Sequence, residues 1–175
     1  LIGTSALRLR VRPWEHDPTM ATWAWRDDDG RLRGVLSLIR DGPLGLPCDH
    51  VVPEVVAELR EGGPVGCASN LCADGGMGAI VRLRIVLGLV LAAYERAAAT
   101  GMAHCIAAVS PGHADMLERI CGFAAIGGSV VYPPHPVVVG SAAGAAEDVV
   151  QVVVMDIARE RMRMRGLREA LWQEA

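Results

Sequence analysis

The spacing of hydrophobic positions changes several times along the chain, and each change marks an element. Thr22 to Trp25 and Leu32 to Ile39, with Val35, Leu36, Leu38 and Ile39 apolar, predict the two strands of a hairpin around the turn Asp27-Asp28-Asp29-Gly30. Asp41 to Pro53 reads as a loop punctuated by Gly42, Pro43, Gly45, Pro47 and Pro53. Glu54 to Arg60 predicts a short helix with Val55, Val56 and Leu59 apolar, ended by Glu61-Gly62-Gly63-Pro64. Val65 to Ala73 is a small, mostly apolar strand, followed by the glycine-rich turn Asp74-Gly75-Gly76-Met77-Gly78. From Ala79 to Thr100 the period lengthens. Ile80, Leu83, Leu87, Val90, Leu91 and Tyr94 recur at three- and four-residue spacing and predict a long amphipathic helix stopped at Gly101.

The pattern then alternates again. His104 to Ser110 predicts a short buried strand. Pro111-Gly112 opens a second helix to about Cys121, with Met116, Leu117 and Ile120 on one side, and Gly122-Phe123 closes it. Ala125 to Tyr132 and the β-branched run Val149 to Ile157 predict two strands. Between them lie the breaker Pro133-Pro134-His135-Pro136 and a small-residue loop, Gly140 to Ala146. Ala158 to Trp172 predicts a helix rich in arginine. At the start, Ala6 to Val11 alternates Leu and Val with Arg, which suits a strand or a helix end, and Pro13 and Pro18 bracket a polar turn. An initial hairpin followed by alternating helices and strands predicts one α/β domain over residues 1–175, built on a mixed sheet.

Composition narrows the function. Of 175 residues, 51% are hydrophobic, which supports a sizeable core and excludes disorder. Aromatics make up only 4%, so the core is built from Ala, Val, Leu and Ile and offers no stacking platform for single strands. The net charge of −3 argues against nucleic acid as the main partner. Five cysteines, Cys48, Cys67, Cys72, Cys105 and Cys121, form neither a Cys-x-x-Cys pair nor a zinc pattern, so no metal is expected. They read as free thiols in a reducing cytoplasm. The longest apolar run, Ile85 to Ala93, is too short to span a bilayer, and the start does not read as a signal peptide. The start at Leu1 rather than Met points to a trimmed N-terminus.

The candidate chemistry centres on Val65 to Ala79. A glycine-rich turn at the start of a helix leaves backbone N–H groups unpaired with little side chain in the way, a ready site for phosphate or pyrophosphate. A strand running into such a turn resembles the GNAT acyltransferase superfamily, whose pyrophosphate turn reads roughly Arg/Gln-x-x-Gly-x-Gly/Ala. Here Ala73 to Gly78 keeps Gly76 and Gly78 without the leading basic or amide residue. Four segments resemble the N-acyl amino acid synthases, relatives of the acyl-homoserine-lactone autoinducer synthases. Asp41 to Pro47 is similar to their Gly-Leu-Pro loop, and Glu58-Leu59-Arg60 to the helix that follows it. Ser69-Asn70-Leu71-Cys72-Ala73 stands where they carry Ser-Arg-Leu-Ala, and Pro111-Gly112-His113 with Gly122-Phe123 is similar to their Pro-x-His and Gly-Phe segment. The resemblance covers roughly residues 17 to 157.

The resemblance implies a GNAT-like, mostly antiparallel central sheet flanked by helices. It implies an N-acyltransferase moving a fatty acyl group from an acyl carrier protein thioester to an amino acid or similar amine. The donor's phosphopantetheine arm would lie along Leu71, Cys72 and Ala73, and its phosphate on Gly76, Met77, Gly78 and Ala79. The N–H of Leu71 or Cys72 would face the thioester oxygen. The family's strand glutamate aligns with Cys67, its strand arginine with Asn70, and the tyrosine of many GNAT enzymes with Leu117, while His113 matches the family motif.

Several readings stay open. Cys67 is a nucleophile or an inert core thiol, Asn70 a hydrogen-bond donor to substrate or a strand-edge amide. His113 is a phosphate ligand, a base or a helix-start histidine satisfied by its neighbours. His104 reads as structural. His16, Asp17, His50, Glu54 and Asp74 are candidate replacement bases. The arginine-rich tail docks an acidic carrier protein or forms a solvated face. Two alternative functions remain: a catalytically degenerate module that binds a pantetheine-bearing carrier, and an acetyl-CoA-dependent N-acetyltransferase.

Overall fold

Six strands form one sheet in the order β1-β2-β3-β4-β6-β5. They are β1 (Ala21–Arg26), β2 (Leu32–Arg40), β3 (Val65–Ala73), β4 (His104–Val109), β5 (Ala124–Val131) and β6 (Val149–Asp156). Four helices connect and flank them: α1 (Pro53–Glu61), α2 (Ala79–Ala99), α3 (Pro111–Met116) and α4 (Arg161–Trp172). The computed structural model describes residues 17–131 and 149–172. The readings of His16, Ala6 to Val11, Pro133 to Pro136 and Gly140 to Ala146 lie outside those residues.

Neighbouring strands are antiparallel except β3 and β4, which run parallel. Parallel neighbours need a crossover, and α2 supplies it between β3 and β4. The result is the mixed α/β sheet that the order of elements predicts, mostly antiparallel as the family resemblance implies.

Alternation along the strands builds two cores, one on each face. Leu36, Leu38, Cys105, Ala107, Val153 and Met155 belong to the core beneath α2, together with Leu117, Phe123 and Met164. The intervening positions Ile39, Val65, Cys67, Ile106, Val152 and Val154 belong to a second core with Leu46, Cys48 and Val56. Each fully buried aliphatic side chain contributes about 1.5–3 kcal/mol relative to exposure. Two glycines let α2 lie close. A Cβ on Gly34 would stand 2.6 Å from Ile85, and one on Gly88 would stand 2.8 Å from the Trp25 ring.

The burial of α2 departs from the predicted stripe. Leu87, Val90 and Leu91 are buried and Tyr94 is half-buried, but Ile80 is 77% exposed and Leu83 is exposed too. Burial begins at Ile85, which with Leu89 lies against Gly34. Ile85, Val86, Leu89, Ala93 and Ala97 are buried as well, because the middle of α2 packs on β1, β2, β3 and α4 together.

Three local differences are small. The predicted loop contains a 3-10 turn at Pro47–His50. The helix opened by Pro111 finishes in a π-type turn, Leu117–Cys121, ended by Gly122 at φ 78°. The last helix starts at Arg161 because Asp156 first caps a turn, accepting the Arg159 N–H at 2.9 Å. Arg60 on α1 forks to Asp41 and Asp49, at 2.6 and 2.7 Å, and pins the 41–49 loop to the helix.

Candidate active site

The site grows out of two irregularities in β3. On the β2 side the ladder passes from Val35–Cys72 to Ser37–Ser69, so two residues of β3 face one of β2. This is a bulge, and Asn70 takes it up at φ 58°. Asparagine tolerates the left-handed region better than most side chains. Its amide reaches the Ser37 Oγ at 3.5 Å, and Ser37 in turn bonds Thr22 at 2.9 Å. On the other side, the β3–β4 ladder ends at Ala68–Ala107. Beyond it Ser69 to Ala73 and Ala108 to Val109 part.

A cleft of about 360 Å³ fills the parting. Ser69, Asn70 and Leu71 line one side, Ala108, Val109 and Ser110 the other, and Val90, Tyr94, Leu117, Phe123 and Met155 form an apolar wall. Cys67 and Cys105 both line it although they belong to opposite cores, so the cleft reaches through the sheet. A second cleft, about 450 Å³, runs along Leu71, Cys72, Ala73, Ala79, Arg82, Leu83 and Met116. The two share Leu71 and His113.

The glycine-rich turn joins Ala73 and Ala79, which both line the second cleft. The first intrahelical bond of α2 runs from the Arg82 N–H to the Gly78 carbonyl at 3.0 Å, leaving the earlier N–H groups of the helix start without intrahelical partners. No atom lies within 4 Å of where a Cβ on Gly75 or Gly78 would stand, so the backbone is accessible. Asp74 modifies this cradle. Its Oδ1 accepts the Gly76 N–H at 2.9 Å and its Oδ2 pairs with Arg33. The Gly76 bond, then Arg33, hold the Asp74 carboxyl below its ordinary value. Arg33 also serves Asp27 at 2.7 Å, so two carboxylates share one guanidinium beside the turn.

The site residues expected from sequence separate into several environments. Leu71, Cys72, Ala73 and Ala79 line the second cleft, and Gly76, Met77 and Gly78 form the turn. Asn70 is exposed at the bulge. Cys67 is 1% exposed, its Sγ 3.5 Å from that of Cys48, and the Cys48 contact and burial push its thiol well up. Such a thiol keeps its proton at neutral pH, which favours the inert reading over the nucleophile.

His113 is exposed, and its Nδ1 is 2.8 Å from the Ser110 Oγ. Leu117 is buried in the cleft wall; the hydroxyl there comes from Tyr94, which donates to the Ile157 carbonyl at 3.1 Å. Burial raises the Tyr94 phenol. Of the replacement bases, Asp17 accepts two bonds from Thr19, both 2.7 Å, which lower its pKa, and Asp74 is held as above. Asp17, His50, Glu54 and Asp74 line neither cleft.

Ser110, Tyr94 and Arg82 are cleft residues that the sequence reading passed over. Ser110 carried a signal: it stands three residues before His113, directly ahead of the helix-opening Pro111. On α4, Arg163 pairs with Glu160 at 2.8 Å, Arg165 with Glu169 at 3.5 Å and Arg168 with Glu95 at 3.7 Å, as a solvated face would. Among the described residues no three His, Cys, Asp or Glu side chains converge on a metal-sized site, and no helix is long and apolar enough to cross a membrane.

The family model for the N-acyl amino acid synthase FeeM matches residues 1–139. The chain belongs to this family of N-acyltransferases. The solved structure of FeeM from uncultured soil microbes is 21% identical, covering 86% of this chain and 79% of that one, with a TM-score of 0.65. The CoA-dependent acyl-homoserine lactone synthase BjaI, solved with SAM and isopentyl-CoA, is 14% identical over 92% of this chain and 68% of its own, with a TM-score of 0.56. A spermidine/spermine N-acetyltransferase, SpeG from Vibrio cholerae, is 14% identical over 85% and 74%, with a TM-score of 0.52. These likenesses extend the family's acyltransferase fold over most of the chain. No curated protein sequence matches it.

Proposed function

We propose that the protein transfers a fatty acyl group from a thioester on an acyl carrier protein to the amine of an amino acid or similar acceptor. The parting of β3 and β4 beyond Ala68 and Ala107 is the observation that carries this reading. An extended phosphopantetheine arm carries amides that can bond a strand edge as another strand would. Ser69 to Ala73 offers such an edge, and the apolar wall offers room for a hydrocarbon chain. The donor phosphate would rest on Gly76 to Ala79, with Arg82 nearby.

At the bulge, the N–H of Leu71 or Cys72 would polarise the thioester oxygen. The neutral amine attacks the carbonyl carbon, the C–N bond forms and the C–S bond breaks. The proton shed by nitrogen passes through His113 to the departing sulfur. Asn70 would hold a donor or acceptor carbonyl by its amide. Asp74 favours a carrier-borne donor over CoA. It takes one N–H of the turn and adds a negative charge there, which one phosphodiester tolerates better than a pyrophosphate.

A second reading, binding without turnover, is supported by Cys67, Asn70 and Leu117 at the positions where relatives carry polar catalytic groups. Incubation with long-chain acyl carrier protein and a pool of amino acids, read by mass spectrometry, separates the two. N-acyl amino acids are the expected product. Carrier binding without any product would favour the second reading, and neither binding nor product would remove both.

A further inference from the structure

We propose that Ser110 is a positioning residue that holds His113 through Nδ1, so that Nε2 serves as the base toward the amine. The inference rests on the acyl-transfer reading above. It begins with a helix start that is built unusually. Ser110 is the N-cap of α3, with extended backbone at φ −62° and ψ 150°. Its carbonyl accepts the N–H groups of His113 and Ala114, at 2.9 and 3.0 Å. Serine is favoured at this position because its hydroxyl ordinarily accepts an N–H from the second or third helical residue. Here no side-chain cap forms. The Oγ lies instead 2.8 Å from the ring nitrogen Nδ1 of His113, the third helical residue. The hydroxyl is withdrawn from the helix and given to the imidazole. Pro111 at the first helical position fixes the backbone between the two partners.

Location gives this pair its meaning. His113 is one of two residues shared by both clefts, and Ser110 lines the cleft between the strands. The other titratable groups in the clefts come from the 3-10 turn, β3, β4 and α2. Cys48, Cys67 and Cys105 are buried, and burial or the neighbouring thiol raises Cys67 and Cys105. Tyr94 on α2 is raised by burial, and Arg82 on α2 is a permanent cation. Cys72 on β3 is an exposed thiol. On α3 itself, Asp115 is exposed and lines neither cleft. Among the described residues no carboxylate lines either cleft, and His113 is the one imidazole there, a group of a type that exchanges a proton near neutral pH.

The chemistry fixes the direction of the bond. For Nε2 to accept the amine proton, the neutral ring must carry its own proton on Nδ1 and donate it to the Ser110 Oγ. After transfer both ring nitrogens carry protons, and the same oxygen stabilises the cation. The imidazolium then returns the Nε2 proton to the departing thiolate. One C–N bond has formed, one C–S bond has broken, and one proton has moved from nitrogen to sulfur.

The test combines kinetics with nitrogen NMR of the ring. Ser110→Ala should lower kcat about tenfold with little change in donor KM, and should move the acid limb of the kcat/KM profile to lower pH, because the imidazolium loses its acceptor. Ser110→Thr, which keeps the oxygen, should restore most of the rate. His113→Gln should lose about 100-fold, the lower range for a general base. In the unmodified protein the neutral ring should be the Nδ1–H tautomer, and Ser110→Ala should convert it to Nε2–H. An Nε2–H tautomer in the unmodified protein, or unchanged kinetics in Ser110→Ala, overturns the assignment. If no donor is turned over at all, the acyl-transfer reading fails, while the tautomer still decides whether Ser110 orients the ring.

Discussion

Cys67 and Cys72 lie five residues apart on β3 and are chemically opposite. Cys67 is enclosed with Cys48, while Cys72 is exposed in the second cleft. Alkylation of the native protein should therefore modify Cys72 rapidly and Cys48, Cys67, Cys105 and Cys121 slowly, counted by mass spectrometry. A bound donor should protect Cys72, since it lies along the path proposed for the arm. Asn70 makes a second prediction at this scale. Its left-handed backbone is disfavoured by up to about 1–2 kcal/mol for side chains other than asparagine and aspartate, and free for glycine. Asn70→Ala should lower stability by about that much in urea denaturation, whereas Asn70→Gly should not. Neither the bulge nor the serine–histidine bond was legible in the sequence. A bulge is a relation between two strands, and the place of Ser110 three residues before His113 marks a helix start without saying whether its hydroxyl caps the backbone or meets the ring.

The glycine turn and α2 act as one element. Gly78 has a φ of −58°, which any residue accepts, and open space where a Cβ would stand. Gly78→Ala should fold with an unchanged melting temperature yet raise the donor KM severalfold, because the methyl group would occupy the place proposed for the phosphate. An unchanged KM would remove the phosphate from this turn. The turn, strand and helix order was legible because glycine placement and the change of period are local signals. The buried face of α2 was only partly legible. Ile80 and Leu83 keep the helical spacing, but burial along α2 begins only at Ile85. Arg60 illustrates the same limit. Its place in a helix was predictable, but its fork to Asp41 and Asp49 depends on how the loop folds back. Arg60→Lys should keep the charge, lose the fork, and reduce stability by on the order of 1 kcal/mol.

For the whole molecule, two sets of titrating groups bound a window of stability. Hydrogen bonds from Arg33 and Arg31 hold Asp27 below its ordinary 3.8, the Gly76 N–H and Arg33 do the same for Asp74, and at Asp49 burial is outweighed by Arg60. Their folded pKa values lie below the unfolded ones. Their contribution is therefore present above about pH 4 and lost as pH falls through the lower values. Burial pushes Cys105 and Cys121 from 9.0 up to about 12. That contribution is complete below pH 9 and lost as pH rises from 9 toward 12. Urea denaturation across pH should show a plateau with shoulders at both ends, and Cys121→Ala should flatten the alkaline one. The α/β class was legible at this scale from the alternation of periods. The crossing of the cleft through the sheet was not, because it depends on where one ladder stops.

That stopping point is the centre of the account, and a crystal structure with a non-hydrolysable acyl-phosphopantetheine analogue tests it most directly. The arm should lie between Ser69–Ala73 and Ala108–Ser110, with its phosphate at Gly76 to Ala79 and its acyl chain against Tyr94, Phe123 and Met155. An analogue bound elsewhere, with β3 and β4 paired to their ends, would contradict it.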